Sequence, residues 1–402
     1  MRRLTSFLRD DAGSMGISFA LVAAPLLAMA GAAVDYAQAV TVRDRLQATT
    51  DAAAVNAARI NASSDAQRIA AAEAYFPPSG GTAPTVTVNN GSVSVTSTKR
   101  VKTAFLGIMG ISEMVLQARA TAAPIKDGPP VCALALNQTA PAALNFSGNA
   151  TFSAPNCAVY SNSSFASGIS VQGSAVVQAA AYCSAGGVSS FHALIPAPNT
   201  GCSRLEDPFR NLSQPSISAC IFQNGLTVNP NATRTLDPGT YCGGLNIKGT
   251  VTLNPGLYII KDGAFTVGSQ AKVTVAGSGG VTFYLSGQGA SLDMDGSGGV
   301  SLTAQTTGPY SGLLIIQDRA SNAGATSKLN GNSTTLLKGG IYLPTQSLSV
   351  NGNGSFGQQS EFMPLIADQL SFSGNATAQL DLTAMQTPAP LPRFSSGAKL
   401  LQ

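Results

Sequence analysis

The chain has 402 residues, and only 10% of them are charged, compared with roughly 25% in an ordinary soluble domain. Residues 1–126 carry the whole net charge of +4, with 12 Lys and Arg against 8 Asp and Glu. Nucleic-acid binding requires dense Lys and Arg, so the neutral remainder argues against a nucleic-acid partner. The scarcity of ionisable side chains also makes catalysis the weaker interpretation.

The first predicted element, over residues 1–34, is a cytoplasmic tip followed by a transmembrane helix. No side chain from Ala12 to Val34 is ionisable, and a helix of that length spans about 34 Å, enough to cross a hydrocarbon core of roughly 30 Å. Arginines at positions 2, 3 and 9 favour a cytoplasmic amino terminus and an exported remainder. The residues expected in the anchor are Met15, Ile17, Phe19, Leu21, Val22, Pro25, Leu26 and Leu27.

A cleaved secretory signal is the alternative interpretation of this segment. Ala28-Met29-Ala30 fits the pattern that precedes a signal cleavage site. A mature chain beginning at Gly31 would be released, for example as a surface adhesin. The helical pattern continues past Ala30 without a turn signal, which favours the anchor.

Residues 35–126 predict a long helix followed by a small β-sheet. Alanine-rich sequence without Gly or Pro continues to about Tyr75, and small residues on a helix face are typical of close packing. Two alternating runs, Thr85–Val88 and Val93–Thr96, flank an Asn-Asn-Gly turn and predict a hairpin. Met114–Ala120 can add a further strand. The order of elements is pilin-like.

The amino-terminal motif resembles that of TadG-like proteins, which belong to the Tad (Flp) pilus-assembly group of bacteria. The residues that carry the resemblance are Gly13, Gly31, Asp35, Gln47 and Asp51. It implies an inner-membrane anchor with a periplasmic or surface-exposed remainder, and pilus-assembly proteins or pseudopilins as partners. If a prepilin peptidase cut after Gly13, Ser18 would stand where its substrates carry Glu, so we expect no such processing. No Asp begins the Asp-x-Ser-x-Ser metal motif that many TadG-like proteins carry.

Residues 127–385 predict a right-handed parallel β-helix. Short alternating segments are joined by Gly with Asn, Ser or Thr, at spacings of about 20 residues. The central glycines are Gly148, Gly173, Gly249, Gly352 and Gly374. Pro-Gly pairs at 238–239 and 255–256 predict corner turns. A β-sandwich is the alternative, and the Pro-rich residues 386–402 are expected to form a tail.

All six cysteines lie in the first half of this body: Cys132, Cys157, Cys183, Cys202, Cys220 and Cys242. An even number in an exported domain predicts three disulfides, for which 15 connectivities are possible. We expect sequence neighbours to pair. Structural zinc is disfavoured because the chain has no Cys-x-x-Cys pair and only one histidine.

The candidate catalytic residues are few. Asp293 and Asp295 lie two apart and would face one way on a strand, as an acid/base pair or as calcium ligands. A solvated turn beside Gly296 is the favoured interpretation. His192 lacks a nucleophile-elbow motif around it, which favours a structural histidine.

The sequence therefore predicts a mainly β protein with an amino-terminal membrane helix and no cofactor. The expected function is that of a non-catalytic, membrane-anchored component of a Tad-type pilus system, with possible surface or polysaccharide contact through the solenoid. A secreted β-helix that acts on or binds carbohydrate is the alternative.

Overall fold

The structure is a computed structural model, which describes residues 12–60, 65–77, 84–89, 91–124, 128–321, 323–330, 335–352, 355–356, 364–380, 382, 387–394 and 398–401. The chain forms two compact units. Unit 1 comprises Met1–Ile125 with Ser395–Gln402, and unit 2 comprises Lys126–Phe394. The segment expected to be a tail thus contributes residues to both units.

The described residues of unit 1 form two helices, a 3₁₀ helix and four strands. The helices are α1 (Ala12–Arg59) and α2 (Asp65–Glu73), and the 3₁₀ helix is Leu106–Met109. The strands are β1 (Thr85–Asn89), β2 (Ser92–Lys102), β3 (Glu113–Pro124) and, from the end of the chain, β30 (Ala398–Leu401).

Unit 2 consists of short strands and a 3₁₀ turn at Gly296–Gly298. The first strands are β4 (Val131–Ala135), β5 (Leu144–Phe146), β6 (Thr151–Ser161), β7 (Ile169–Val171), β8 (Val176–Ser184), β9 (Val188–Ser190), β10 (Asn199–Thr200), β11 (Cys220–Phe222), β12 (Leu226–Val228), β13 (Thr233–Leu236), β14 (Gly239–Cys242), β15 (Leu245–Ile247) and β16 (Thr250–Leu253). They are followed by β17 (Gly256–Lys261), β18 (Phe265–Val267), β19 (Lys272–Val275), β20 (Val281–Ser286), β21 (Leu292–Asp295), β22 (Val300–Thr303), β23 (Leu313–Gln317), β24 (Thr326–Asn330), β25 (Leu336–Lys338), β26 (Gly340–Asn351), β27 (Ser355–Phe356), β28 (Leu365–Phe372) and β29 (Thr377–Gln379).

In unit 1 the carboxyl-terminal half of α1 packs on an antiparallel sheet of order β1-β2-β3-β30. The predicted hairpin and the strand after it are confirmed, with Val88 opposite Val93. Small side chains allow the close helix–sheet approach, and the core consists mainly of Ala53, Ala54, Ala57, Ala58, Ala72, Val93, Val95, Ala120 and Ala122.

The helix predicted to reach Tyr75 is interrupted. It ends at Arg59, and α2 follows from Asp65. Arg68 of α2 donates hydrogen bonds to the carbonyl oxygens of Ala57 and Ala58, at 2.9 and 3.0 Å. These carbonyls belong to the last turn of α1, and a side-chain donor such as Arg68 satisfies the acceptors that a helix end exposes.

Unit 2 is a parallel β-helix, so the predicted fold class is confirmed. One face contains β14, β17, β20 and β23, a second contains β15, β18, β21 and β24, and a third contains β13, β16, β19, β22 and β25. Neighbouring coils are in register, as in the row Leu245, Phe265 and Leu292. Gly239 and Gly256, with φ of 150° and 145°, begin strands directly after the predicted corner turns.

The coils are not stacked in the order of the sequence. From β4 the coils proceed to β9 and β10, whereas β11 to β13 begin at the opposite end and lead back to β28 and β29. There β28 pairs with β4 and β5, and β29 pairs with β6. We call this junction between the last and first coils the seam.

The connecting segment, residues 201–219, joins the two ends of this stack. It lies across successive coils: Asp207 accepts a hydrogen bond from the Tyr342 hydroxyl at 2.9 Å, and the Ser213 carbonyl accepts one from the Tyr310 hydroxyl at 2.8 Å. Farther along, the hydroxyls of Ser218 and Thr240 lie 3.0 Å apart. The segment therefore covers one side of the stack along its length.

Large apolar side chains fill the interior of the β-helix. Phe222, Tyr241, Tyr258 and Phe283 follow one another on adjacent coils, with ring centroids 5.4 to 5.9 Å apart. At the seam, the rings of Phe146 and Phe372 stack at 5.2 Å, and Phe152 meets each ring edge-on at 5.0 Å. The seam is thus as well packed with aromatic rings as the middle of the stack.

Candidate functional site

The amino-terminal half of α1 is an apolar surface. The side chains of Phe19, Leu21, Val22, Leu26 and Leu27 are all more than half exposed, Pro25 is exposed as well, and α1 continues through it. The structure describes Gly13, Met15 and Ile17 by their helical backbone alone. Within the described part of the chain, α1 is the one helix long and apolar enough to cross a membrane. Exposed aliphatic side chains over this length are what a bilayer core requires.

Two of the motif residues, Gly31 and Asp35, position the loop between β2 and β3, which we call the β2–β3 loop (residues 103–112). A methyl group at position 31 would lie 2.5 Å from the Phe105 ring, so only glycine allows this contact. Asp35 is buried and accepts hydrogen bonds from the backbone amides of Ala104, Phe105 and Leu106 at 3.0, 2.8 and 2.7 Å. These hydrogen bonds, led by the one from Leu106, hold the pKa of the Asp35 carboxyl below its usual value.

Two further motif residues, Gln47 and Asp51, hold α1 against the sheet. The Gln47 amide donates to Asp51 Oδ1 at 2.8 Å and to the Arg119 carbonyl of β3 at 3.0 Å. Between them, the buried hydroxyls of Thr50 and Ser97 lie 2.7 Å apart. The motif therefore attaches α1 to the sheet and to the β2–β3 loop at positions 31 to 51.

Unit 1 also contains a groove beside α1. Its volume is about 270 Å³, and it is lined by Val42, Arg45, Leu46, Thr49, Tyr75, Phe76, Pro77, Ser97, Thr98 and Lys99. Apolar side chains from α1 and from the residues that follow α2 are combined here with two basic groups. Such a lining suits an apolar partner segment that carries an acidic group.

The structure contains three disulfides. Cys132 pairs with Cys157 on adjacent coils, with a Cα separation of 5.6 Å. Cys183 pairs with Cys202, and Cys220 with Cys242, at 6.0 and 5.7 Å. Because Cys202 and Cys220 flank the connecting segment, one disulfide fastens each of its ends to the β-helix.

A polar cluster holds the middle of the connecting segment. Arg319 forms an ion pair with Asp207 and also contacts the Tyr342 hydroxyl. Asp318 accepts a hydrogen bond from Gln214 at 2.9 Å. Burial, and then the negative charge of Asp207, raise the pKa of Tyr342 well above its usual value. Asp207, Asp318 and Arg319 thus have structural partners within unit 2.

The candidate catalytic residues do not converge. Asp293 and Asp295 lie on the outer side of β21, where Lys328 and Asn330 of β24 are their register partners. Ser297 donates a hydrogen bond to Asp295 at 2.8 Å. His192 is exposed in the turn after β9, and its carbonyl accepts a hydrogen bond from Ser190 at 2.7 Å. Among the residues that the structure describes, no cluster of three or more His, Cys, Asp or Glu could hold a metal ion.

The outer row of the second face is polar and almost free of charge. In register order it contains Thr227, Asn246, Thr266, Asp293, Lys328, Ser349, Ser371, Asn145, Ser170 and Ser189. Neutral residues stack from coil to coil without repulsion, and the single acid adjoins the single base. The charge scarcity of the sequence agrees with this arrangement.

Comparisons with known proteins match two separate segments of the chain to two families. Residues 211–381 match the model of a family described as Domain of unknown function (DUF7305). No curated protein and no solved structure matches the chain. Residues 13–59 match the model of the Flp pilus-assembly TadE/G-like family (Tad). This match contains all five motif residues, and the resemblance to TadG-like proteins is confirmed over that segment of the chain.

Proposed function

We propose that this protein is a non-catalytic structural component of a Tad-type pilus system, anchored in the inner membrane by α1 with unit 2 on the periplasmic side. In this function α1 and the groove beside it contact other pilus-assembly proteins. The β-helix presents a rigid, weakly charged surface for contact with a protein or a cell surface.

The observation that carries this proposal is the difference between the two halves of α1. Its exposed apolar half suits a bilayer. Within the segment that matches the pilus-assembly family, Asp35 fixes α1 to the β2–β3 loop, and Gln47, with Asp51, fixes it to the sheet. A helix attached in this way serves to hold the attached sheet at the membrane rather than to catalyse a reaction. The carbohydrate alternative has less support because Asp293 faces Lys328 rather than a second carboxylate across the coils.

The partner contact is tested by photocrosslinking in the bacterium that makes the protein. A benzoylphenylalanine at Tyr75 in the groove, or at Phe19 in the anchor, is expected to crosslink to a component of the same pilus apparatus. The matched control is Phe191, which is 78% exposed on unit 2. Deletion of the chain is expected to reduce surface pili. Normal piliation after deletion, or no crosslink to a pilus component from either Tyr75 or Phe19, would contradict the proposal.

Orientation requires a separate measurement. Alkaline phosphatase folds actively only outside the cytoplasm, because its disulfides do not form inside. Fused after Gln402, it is expected to be active, and fused before Met1, inactive. The reverse pattern would place unit 2 in the cytoplasm.

A further inference from the structure

The β2–β3 loop exposes large apolar side chains although its backbone is ordered. Phe105 is 46% exposed, Ile108 84%, Met109 65% and Ile111 50%. The loop closes by a hydrogen bond from the Thr103 amide to the Ser112 carbonyl at 3.1 Å, and the 3₁₀ helix inside it ends at Gly110 in the left-handed conformation. A fixed apolar surface of this kind marks a contact with a partner or with lipid.

The loop lies at the level where the apolar run of α1 ends. Asp35, the first ionisable residue after that run, binds the amides at the start of the 3₁₀ helix. Phe105 contacts Gly31, four residues and therefore about 6 Å nearer the centre of the run. The side chains of the loop consequently lie at the depth of the last turn of the anchor.

The rest of unit 1 extends away from this level. Asp35 and Thr50 of α1 are separated by about 22 Å along the helix, and Ala104 and Ser97, to which they are bonded, by about 23 Å along the strand. Helix and strand therefore run side by side, with the loop at the end nearest the anchor. Its position is continuous with the apolar surface of α1.

We propose that the β2–β3 loop inserts its apolar side chains into the interfacial layer of the membrane that α1 crosses, as a second, shallow contact with lipid. The inference rests on the membrane anchorage of α1. The loop from Thr103 to Ser112 contains no ionisable residue. Directly behind it Lys99 and Lys102 are exposed, beside an ion pair of Arg100 with Glu113 at 3.5 Å, so the net charge at its base is positive. Apolar residues followed by basic ones match acyl chains followed by anionic headgroups.

Depth-dependent quenching in vesicles tests this contact. The full chain, with its native disulfides intact, is reconstituted in mixed phosphatidylcholine and phosphatidylglycerol vesicles. An environment-sensitive fluorophore is attached at Ile108→Cys. The matched control is Thr87→Cys, because Thr87 is exposed and pairs with Ser94, about 27 Å along β2 from Lys102. Leu27→Cys reports whether the anchor is inserted.

The expected result is blue-shifted emission at Ile108 and quenching by spin-labelled lipid about threefold or more above that at Thr87. Equal quenching at Ile108 and Thr87, with Leu27 quenched, would overturn the proposal and leave the anchor intact. Blue-shifted but unquenched emission at Ile108 would indicate a protein contact and would also overturn it. If Leu27 is not quenched, α1 is not inserted in the membrane, and both the membrane anchorage and the loop contact are contradicted.

A positioning variant adds a second readout. Asp35→Asn replaces one of the accepting oxygens with a donor that faces backbone amides. We expect it to lower quenching at Ile108 and to leave quenching at Leu27 unchanged. Asp51→Asn is the matched control, because Asp51 contacts Gln47 rather than the loop. Unchanged quenching at Ile108 in Asp35→Asn would contradict the positioning role.

Discussion

The two units place their large apolar side chains in opposite ways. Unit 1 has a core of alanine and valine, and its exposed large side chains concentrate on the first half of α1 and on the β2–β3 loop. Unit 2 buries most of its aromatic residues in the β-helix, with Phe165 and Phe191 as exposed exceptions, and presents Ser, Thr and Asn on its outer rows. Large apolar residues therefore mark contact surfaces in unit 1, whereas in unit 2 they stabilise the interior.

The largest expected effect comes from the seam, which tests whether unit 2 depends on its buried rings. Phe372 is 1% exposed and contacts Phe146 and Phe152. Phe372→Ala is expected to lower the free energy of unfolding by about 4 kcal/mol, because a buried ring is replaced by a cavity. Denaturant unfolding of the full chain in detergent, followed by circular dichroism of the β-structure, measures the change.

Phe191→Ala is the control for this variant. Phe191 lies in the same unit but is 78% exposed, so its removal is expected to change stability by less than about 0.5 kcal/mol. Similar losses in both variants would show that the seam is not a packed interior.

The next effect tests whether a disulfide of unit 2 stabilises that unit alone. Replacement of both Cys220 and Cys242 by Ser removes the disulfide at the end of the connecting segment, which closes a stretch of 22 residues. We expect about 3 kcal/mol of lost stability, mainly from the added freedom of the unfolded chain. Hydrogen exchange is expected to increase in the connecting segment and in β11 to β14.

Unit 1 serves as the internal control, because all six cysteines belong to unit 2. Hydrogen exchange of α1 and of β1 to β3 is expected to stay unchanged. Faster exchange there after loss of Cys220 and Cys242 would show that the two units unfold together.

Local features of both units could be predicted from the sequence, whereas the coil order could not. The hairpin around Gly91 and the corners at Gly239 and Gly256 depend on a few adjacent residues. The coils are nearly equivalent to one another, so alternation alone does not decide which coil adjoins which. A usable signal was present: Ser-Gly-Asn-Ala-Thr occurs at 147–151 and at 373–377, and these two stretches adjoin at the seam.

In unit 1 the motif residues were identified by resemblance, but their contacts were not predictable. Asp35 binds amides about 70 positions away in sequence, and no periodicity links the two stretches. The interruption after Arg59 also escaped prediction, since the residues of α2 have helical propensities like those of α1. Asn61, Ser63 and Ser64 between the helices do favour alternatives to helix.

A smaller effect tests the glycine column of the β-helix. Gly148 has φ +69°, and a methyl group there would lie 3.0 Å from the Gly374 carbonyl oxygen of the next coil. Gly201 has a similar φ of +66° but no atom within 4 Å of that position. We expect Gly201→Ala to cost about 1 kcal/mol from backbone strain alone, and Gly148→Ala about 2 kcal/mol because close contact is added.

Denaturant unfolding of the two glycine variants under identical conditions gives the comparison. A larger loss for Gly148→Ala than for Gly201→Ala is the expected order. Equal losses would mean that coil spacing at the seam adjusts freely, in conflict with the packing of its aromatic rings.

The smallest expected effect concerns the charged pair on the outer row of unit 2. Asp293 and Lys328 are register partners on adjacent coils, and both are exposed. A double-mutant cycle with Asp293→Ala and Lys328→Ala is expected to give a favourable coupling of about 0.5 kcal/mol or less, since water screens an exposed pair, and added salt should reduce it further. Ser349 and Ser371, register partners on adjacent coils of the same row, provide a neutral cycle for comparison. A coupling of several kcal/mol, or one insensitive to salt, would contradict the picture of unit 2 as a surface whose stability comes from its interior, and would direct attention back to Asp293 as a functional group.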